Sequence, residues 1–172
     1  GVTDSIRSEL THDQSRVHVT MVQMPALNTP QFSWVRSRLP RKPQPVPPIF
    51  QPEVAAEAIW FAAHHRRRTM QVGWPTVLAV QANKVIPGLI DRYLGRTNYA
   101  AQQTGQLADP DRRDNLWAPV PGDHGAHGSF DRRAHRFSSQ LWVDRNRGWL
   151  AAVGAGLCVA GVAAVWSGRR FR

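Results

Sequence analysis

Apolar residues crowd the stretch Val17–Met24, where Val17, Val19, Met21, Val22 and Met24 stand beside β-branched Thr20. So short and nearly continuous a run predicts a strand covered on both faces, as in a parallel sheet. Pro25 removes a ladder donor and ends it, so residues 26–30 are expected to form a loop at the strand's C-terminal end. In open α/β sheets ligands sit at that end, which makes this loop the first candidate site. Ahead of the strand, Ile6 and Leu10 lie four apart, the spacing of a helix running from Val2 to about Thr11.

Beyond the loop, Phe32, Trp34 and Val35 suit a short helical piece. Residues 39–48 then carry five prolines, which favour extended polyproline geometry and exclude a regular helix. Gln51-Pro52-Glu53 opens a helix well, with Pro in its first turn and an acid at the positive end of the dipole. Val54, Ala55, Ala58, Ile59, Phe61 and Ala62 give that helix an apolar face, and His64 to Arg68 place cations at its carbonyl end. Thr69–Gly73 is expected to be a strand parallel to the first, completing a right-handed β-α-β unit. Trp74-Pro75 is read as a turn, residues 76–85 as a helix broken by Pro87-Gly88, and residues 89–94 as a further short turn.

From residue 98 the character changes. Asp109-Pro110-Asp111, Pro119, Pro121-Gly122-Asp123 and Gly125 to Gly128 are breaker signals with no periodic segment between them. The expectation for 98–147 is an irregular, partly disordered tail. Residues 148–166 come next with no charge at all, about the length of a helix crossing a hydrocarbon core. Trp149 and Trp166 stand at its ends, Arg145 and Arg147 flank one side, and Arg169, Arg170 and Arg172 the other. Gly148, Ala152, Gly156, Ala160 and Ala164 form a ridge of small residues. A transmembrane helix is the expectation, against the plainer reading of a buried Ala/Gly-rich helix.

The formal net charge of +10 invites a nucleic-acid partner, but the only lysines are Lys42 and Lys84 and the arginines are scattered. No zinc-finger, helix-turn-helix or ribonucleoprotein-type spacing accompanies them, so no nucleic-acid partner is expected. The single cysteine, Cys158, excludes an internal disulfide and a Cys-based zinc site, and its apolar neighbours predict a buried, inert thiol. Asp123, His124 and His127 lack a fourth ligand at standard spacing, so a surface loop is expected there and no metal site.

Two stretches, Ser-Ile-Arg-Ser-Glu-Leu (5–10) and Arg-Val-His-Val-Thr-Met-Val-Gln-Met-Pro-Ala-Leu-Asn-Thr-Pro (16–30), resemble the late part of the short-chain dehydrogenase/reductase family. In that family a helix bearing a catalytic Tyr-x-x-x-Lys ends in a similar Leu-Arg-x-Glu-Leu stretch. A strand and a Pro-Gly-x-x-x-Thr loop over the nicotinamide half of NAD or NADP come after it. The resemblance covers residues 1–95 or so. It implies the C-terminal portion of a doubly wound, Rossmann-type parallel sheet over residues 1–97. It implies cofactor binding by Pro25, Ala26, Leu27, Asn28 and Thr29, and a substrate lid over 31–50 with Phe32 and Trp34 as pocket walls. Ala26 stands where the family usually has Gly.

The chain has no Tyr-x-x-x-Lys, since Thr97 and Gln103 lie four residues beyond Tyr93 and Tyr99, and no Gly-rich phosphate turn. No catalytic residue is therefore assigned within it. The catalytic Ser, Tyr and Lys are expected upstream of Gly1, and the chain alone is expected to be inactive. The leading expectation is a fragment of an oxidoreductase transferring hydride between NAD or NADP and a small alcohol or carbonyl substrate. It would be membrane-associated through 148–166, with its catalytic domain on the cytoplasmic side. A homo-oligomer is plausible by resemblance, because the family's last strand and helix often build a subunit interface. The alternative is a non-catalytic, membrane-anchored protein that binds partners.

Overall fold

The computed structural model describes residues 1–169 and the side chains of residues 1–161. The chain forms two compact units, Gly1–Ser138 and a second beginning at Ser139. Its class is α/β, with parallel strand pairs and six α-helices among the described residues.

Helix α1 (Val2–His12) carries Asp4 in its first turn. Arg7 anchors this helix to the segments just ahead of the two paired strands at 21–23 and 69–71. Its guanidinium donates to the carbonyls of Val19 and Arg68 and bonds Asp4 at 2.9 Å. Strand β1 (Met21–Gln23) is shorter than the apolar run predicts and half-buried rather than covered on both faces. It pairs among the described residues with one strand, three residues long, at 69–71. Upstream of β1, His18 and Thr20 reach the carbonyl of Arg67 through their side chains.

Pro25 does not end the pairing; it redirects it. β2 (Ala26–Leu27) leaves the first ladder and joins β4 (Ile49–Phe50) in parallel, so part of the expected loop is strand. The proline-rich segment likewise holds a strand, β3 (Arg41–Pro43). Helix α2 (Pro52–His64) starts on Pro52 and buries Val54, Ala55, Ala58 and Phe61 of its expected apolar face, while Ile59 is 55% exposed and Ala62 is half-buried. β5 (Thr69–Gln71) runs parallel to β1, with Met70 and Val72 essentially inaccessible. Gly73 then turns the chain at φ +81°, and a Cβ there would lie 3.2 Å from the Phe50 ring. Both facts favour glycine.

Trp74-Pro75 starts a helix instead of a turn: α3 spans Trp74–Val85. Pro87 also opens one, α4 (Pro87–Ala101), in place of the expected short turn. Proline in the first turn costs nothing, because its missing N–H has no partner there anyway.

The expected irregular tail is built into the first unit as far as Ser138. β6 (Gln103–Leu107) pairs antiparallel with β3, and β7 (Ala134–His135) pairs parallel with β4. Arg36 bonds Asp114 at 2.7 Å, Arg112 donates to the Val35 carbonyl, and the Asn115 N–H donates to the Trp34 carbonyl at 3.1 Å. The segment 98–138 therefore straps the 31–50 segment along its length.

The second unit holds α5 (Ser139–Arg145) and α6 (Arg147–Arg169). α6 covers the expected transmembrane segment 148–166, yet no helix among the described residues is long and apolar enough to cross a membrane. The described side chains of α6 stop at residue 161, a run shorter than the roughly 20 residues that crossing a hydrocarbon core takes. The membrane-associated location built on that span is overturned. The Trp166 side chain and residues Arg170 and Arg172, expected to flank the span, lie outside the described residues. Cys158, expected to be buried, is exposed.

Candidate functional site

The turn after β1 brings Pro25, Ala26, Leu27 and Thr29 to one wall of a cleft of about 550 Å³. Gln31 and Phe32 continue that wall, and the strapped segment faces it with Gln44, Pro45 and Val46. Gln102, at the end of α4, completes the lining. The loop at the C-terminal end of β1 and the proline-rich segment, far apart in the chain, thus meet across one cavity.

Gln44 fixes the far side. Its amide Nε2 donates to the carbonyls of Ala101 and Gln103 at 3.0 and 2.9 Å, and its Oε1 accepts from Arg133 at 2.8 Å. Its amide is thus committed to the fold. The Thr29 hydroxyl and the Gln102 amide, by contrast, make no side-chain hydrogen bond among the described residues and are available to a ligand.

Two expected site residues lie elsewhere. Asn28 turns away from the cleft and is fully buried. Its Nδ2 donates to Gln51 Oε1 at 3.0 Å and Asp131 Oδ1 at 2.8 Å, and its Oδ1 accepts the Phe130 N–H at 3.0 Å. Its backbone is tied as well, the N–H to the Phe50 carbonyl and the carbonyl to the Gly128 N–H. Trp34 packs on His124, ring centroids 4.1 Å apart, and does not line the cleft. Phe32 does line it, with its ring edge-on to buried Phe130.

The Asn28 network surfaces in a second cleft of about 420 Å³, lined by Gln51, Glu53, His127, Asp131 and Arg136. His127 bridges two carboxylates there, Nε2 to Glu53 at 2.7 Å and Nδ1 to Asp131 at 3.2 Å. Asp131, and after it Glu53, raises the His127 pKa by favouring the imidazolium. The Glu53 carboxyl is lowered first by its own backbone N–H at the start of α2 and then by His127. Asp131 is lowered first by the Gln51 amide and then by His127. No three His, Cys, Asp or Glu side chains among the described residues come together to hold a metal.

These shifts make stability depend on pH in a definite direction. A raised His127 pKa adds stability that is full below the unfolded value of roughly 6.5 and fades as pH rises through the folded one. The lowered carboxylates add stability present above about 4.3 and lost as pH falls through their folded values. The bridge is therefore strongest between about pH 4.5 and 6.5. Thermal melts are expected to show higher Tm at pH 5.5 than at pH 8.5, with the gap narrowed in His127→Gln. An undiminished gap in that variant would remove His127 from the effect.

Sequence reasoning missed Gln44, Val46 and Gln102 on the cleft, and Gln51, Glu53, Asp131 and Gly128 in the network. The one usable signal was Asn28, an amide placed beside a run of buried apolar residues, which needs partners.

No family model matches the chain. Over 125 residues it is 32% identical to a Bacillus subtilis (strain 168) protein, uncharacterized oxidoreductase YxnA. The chain resembles an oxidoreductase. The matched stretch is 72% of this chain and 35% of YxnA, so the chain spans about a third of that protein's length. No solved structure matches it.

Proposed function

We propose that the chain is the C-terminal part of an NAD- or NADP-dependent short-chain dehydrogenase/reductase and supplies the wall over the nicotinamide and the substrate. The observation that carries this reading is the shared cleft. Pro25, Ala26, Leu27 and Thr29, which the resemblance assigns to the nicotinamide loop, and residues 44–46, within its substrate lid, line one cavity. Its volume falls within the range of roughly 300–1,000 Å³ typical of small-molecule sites. The likeness to an oxidoreductase over most of the chain supports the same reading.

The residues fit the nicotinamide end of the cofactor. Pro25, Ala26 and Leu27 offer an apolar face for a ring, and the Thr29 hydroxyl is free to bond an amide. When bound, the nicotinamide would carry hydride to or from an alcohol or carbonyl carbon. This chain's contribution would be to position and to exclude water. Phe32 would wall the pocket, while Trp34 on His124 would brace the lid from outside. Asn28 would hold the loop's shape rather than touch the cofactor. Residues 1–97 would be the C-terminal portion of the Rossmann-type sheet, and the rest of that sheet, the catalytic Tyr and Lys and the phosphate turn would belong to sequence preceding Gly1. β5 and α3 would lie against a second copy, covering side chains such as Leu78, which is 65% exposed in the single chain.

The test is to express the chain with the coding sequence upstream of Gly1 and titrate it with NADH and NADPH. Binding is expected, and Thr29→Ala should weaken it about tenfold, the worth of one hydrogen bond to a ligand amide. Unchanged affinity would remove the loop from the cofactor site. A start codon at Gly1 would end the catalytic reading.

A further inference from the structure

We propose that the cleft between residues 25–32 and 44–46 takes an uncharged, largely apolar alcohol or carbonyl compound and rejects carboxylate- or phosphate-bearing analogues of similar size. The alcohol or carbonyl class rests on the oxidoreductase reading; the preference for a neutral ligand rests on the wall itself.

None of the side chains lining this cleft is ionisable. Leu27, Phe32, Pro45 and Val46 supply its apolar surface. Arg133, on the strapped side, is held behind Gln44 by its bond to Oε1 and is not part of the lining. A carboxylate entering here would lose its water and meet no counter-ion, a penalty that a neutral molecule avoids. What the wall can offer is a small number of neutral polar groups, Thr29, Gln31 and Gln102. These suffice to orient one hydroxyl or carbonyl.

Clefts elsewhere on the surface differ. One is lined by Arg36, Arg38 and Arg112 with Asp109 and Asp114, and another by Glu53, His127, Asp131 and Arg136. The absence of charge is thus a property of this cavity and not of the protein. It also runs against the bulk electrostatics, because a chain of net charge +10 attracts anions in general. A preference for neutral ligands would have to come from the site.

The experiment uses three probes with one alkyl chain and different heads: 1-decanol, decanoate and decylammonium. Each is titrated into the 172-residue chain by calorimetry below its aggregation concentration. Decanol is expected to bind, and each ion to bind at least tenfold more weakly. Val46→Arg places a cation on the wall at a partly exposed position, where circular dichroism can confirm an intact fold. In that variant decanoate should overtake decanol, and decylammonium should weaken further. Decanoate binding as tightly as decanol to the parent chain would overturn the proposal, as would failure of all three probes to bind. An order of affinities unmoved by Val46→Arg would do so too, because it would put the binding on exposed apolar helices instead. The nicotinamide reading fails by a separate route: neutral preference with no NADH or NADPH affinity in the upstream-extended chain would sink the dehydrogenase and leave the cleft's selectivity standing.

Discussion

Asn28→Asp is expected to unfold most of the chain at room temperature, and Asn28→Leu to cost about 3 kcal/mol or more, both without any cofactor present. Asn28 has no exposed surface, and its amide joins three separate segments. Nδ2 donates to Gln51 ahead of α2 and to Asp131, while Oδ1 receives the N–H of buried Phe130. Leucine nearly fills the space but leaves the Phe130 N–H and Gln51 Oε1 without this partner. One buried unsatisfied group costs about 1–3 kcal/mol, and two are created here. Aspartate is worse, because it sets a second carboxylate where Asp131 Oδ1 now accepts a bond at 2.8 Å.

The measurement is urea unfolding monitored by circular dichroism, with Thr29→Ala beside the two Asn28 variants. Thr29→Ala should stay within about 1 kcal/mol of the parent, since its hydroxyl is not built into the fold. The double variant Asn28→Asp/Asp131→Asn exchanges amide and carboxylate and should recover part of the loss, a coupling that independent sites lack. An Asn28→Leu chain as stable as the parent would show that the buried amide is dispensable. Adjacent residues of one loop therefore divide between shape and recognition, and the stability data can separate them before any ligand is known.

That division was only partly legible in the sequence. α1 and α2 were readable because their signals are local, apolar residues at helical spacing and Pro52 with Glu53 at the start. β5 was readable from a short β-prone run after a helix, and its parallel pairing from the handedness of the connection. α4 was hidden because Pro87-Gly88 marks either the end of one helix or the beginning of the next. β3 and β6 were hidden for another reason. Arg-Lys-Pro and Gln-Thr-Gly-Gln-Leu form a ladder that is half exposed, so neither shows the alternation that burial of one face imposes. The burial of Asn28 was hidden because the residues that satisfy its side chain, Phe130 and Asp131, lie 102 and 103 positions away. The reading of α6 as a span finds no support among the described residues, whose side chains stop at residue 161.

Gly128→Ala is expected to be the costliest glycine substitution in the described chain, about 3 kcal/mol. The cause is space. A Cβ at Gly128 would lie 2.5 Å from the Thr29 carbonyl oxygen and 2.7 Å from Asn28 Oδ1, distances that real Cβ contacts do not show. Neither neighbour can yield cheaply. Thr29 is held by its N–H to the Leu27 carbonyl, and Asn28 by its bonds to Gln51, Asp131 and Phe130. The Gly128 N–H itself donates to the Asn28 carbonyl at 3.0 Å, so the two segments must approach this closely for the bond to form. Relief therefore requires the 123–128 loop to lift, which would also draw His127 off Glu53 and Asp131. The variant should accordingly lose, along with stability, the His127-dependent part of its pH profile. Gly105→Ala is the control, because a Cβ there meets nothing within 4 Å, and it should change stability by less than about 1 kcal/mol. Equal melting temperatures for the two variants would show that the close approach at Gly128 relaxes freely. A low value confined to Gly128→Ala, with its pH dependence flattened, would tie the loop, the buried amide and the wall of the cleft into one cooperative unit.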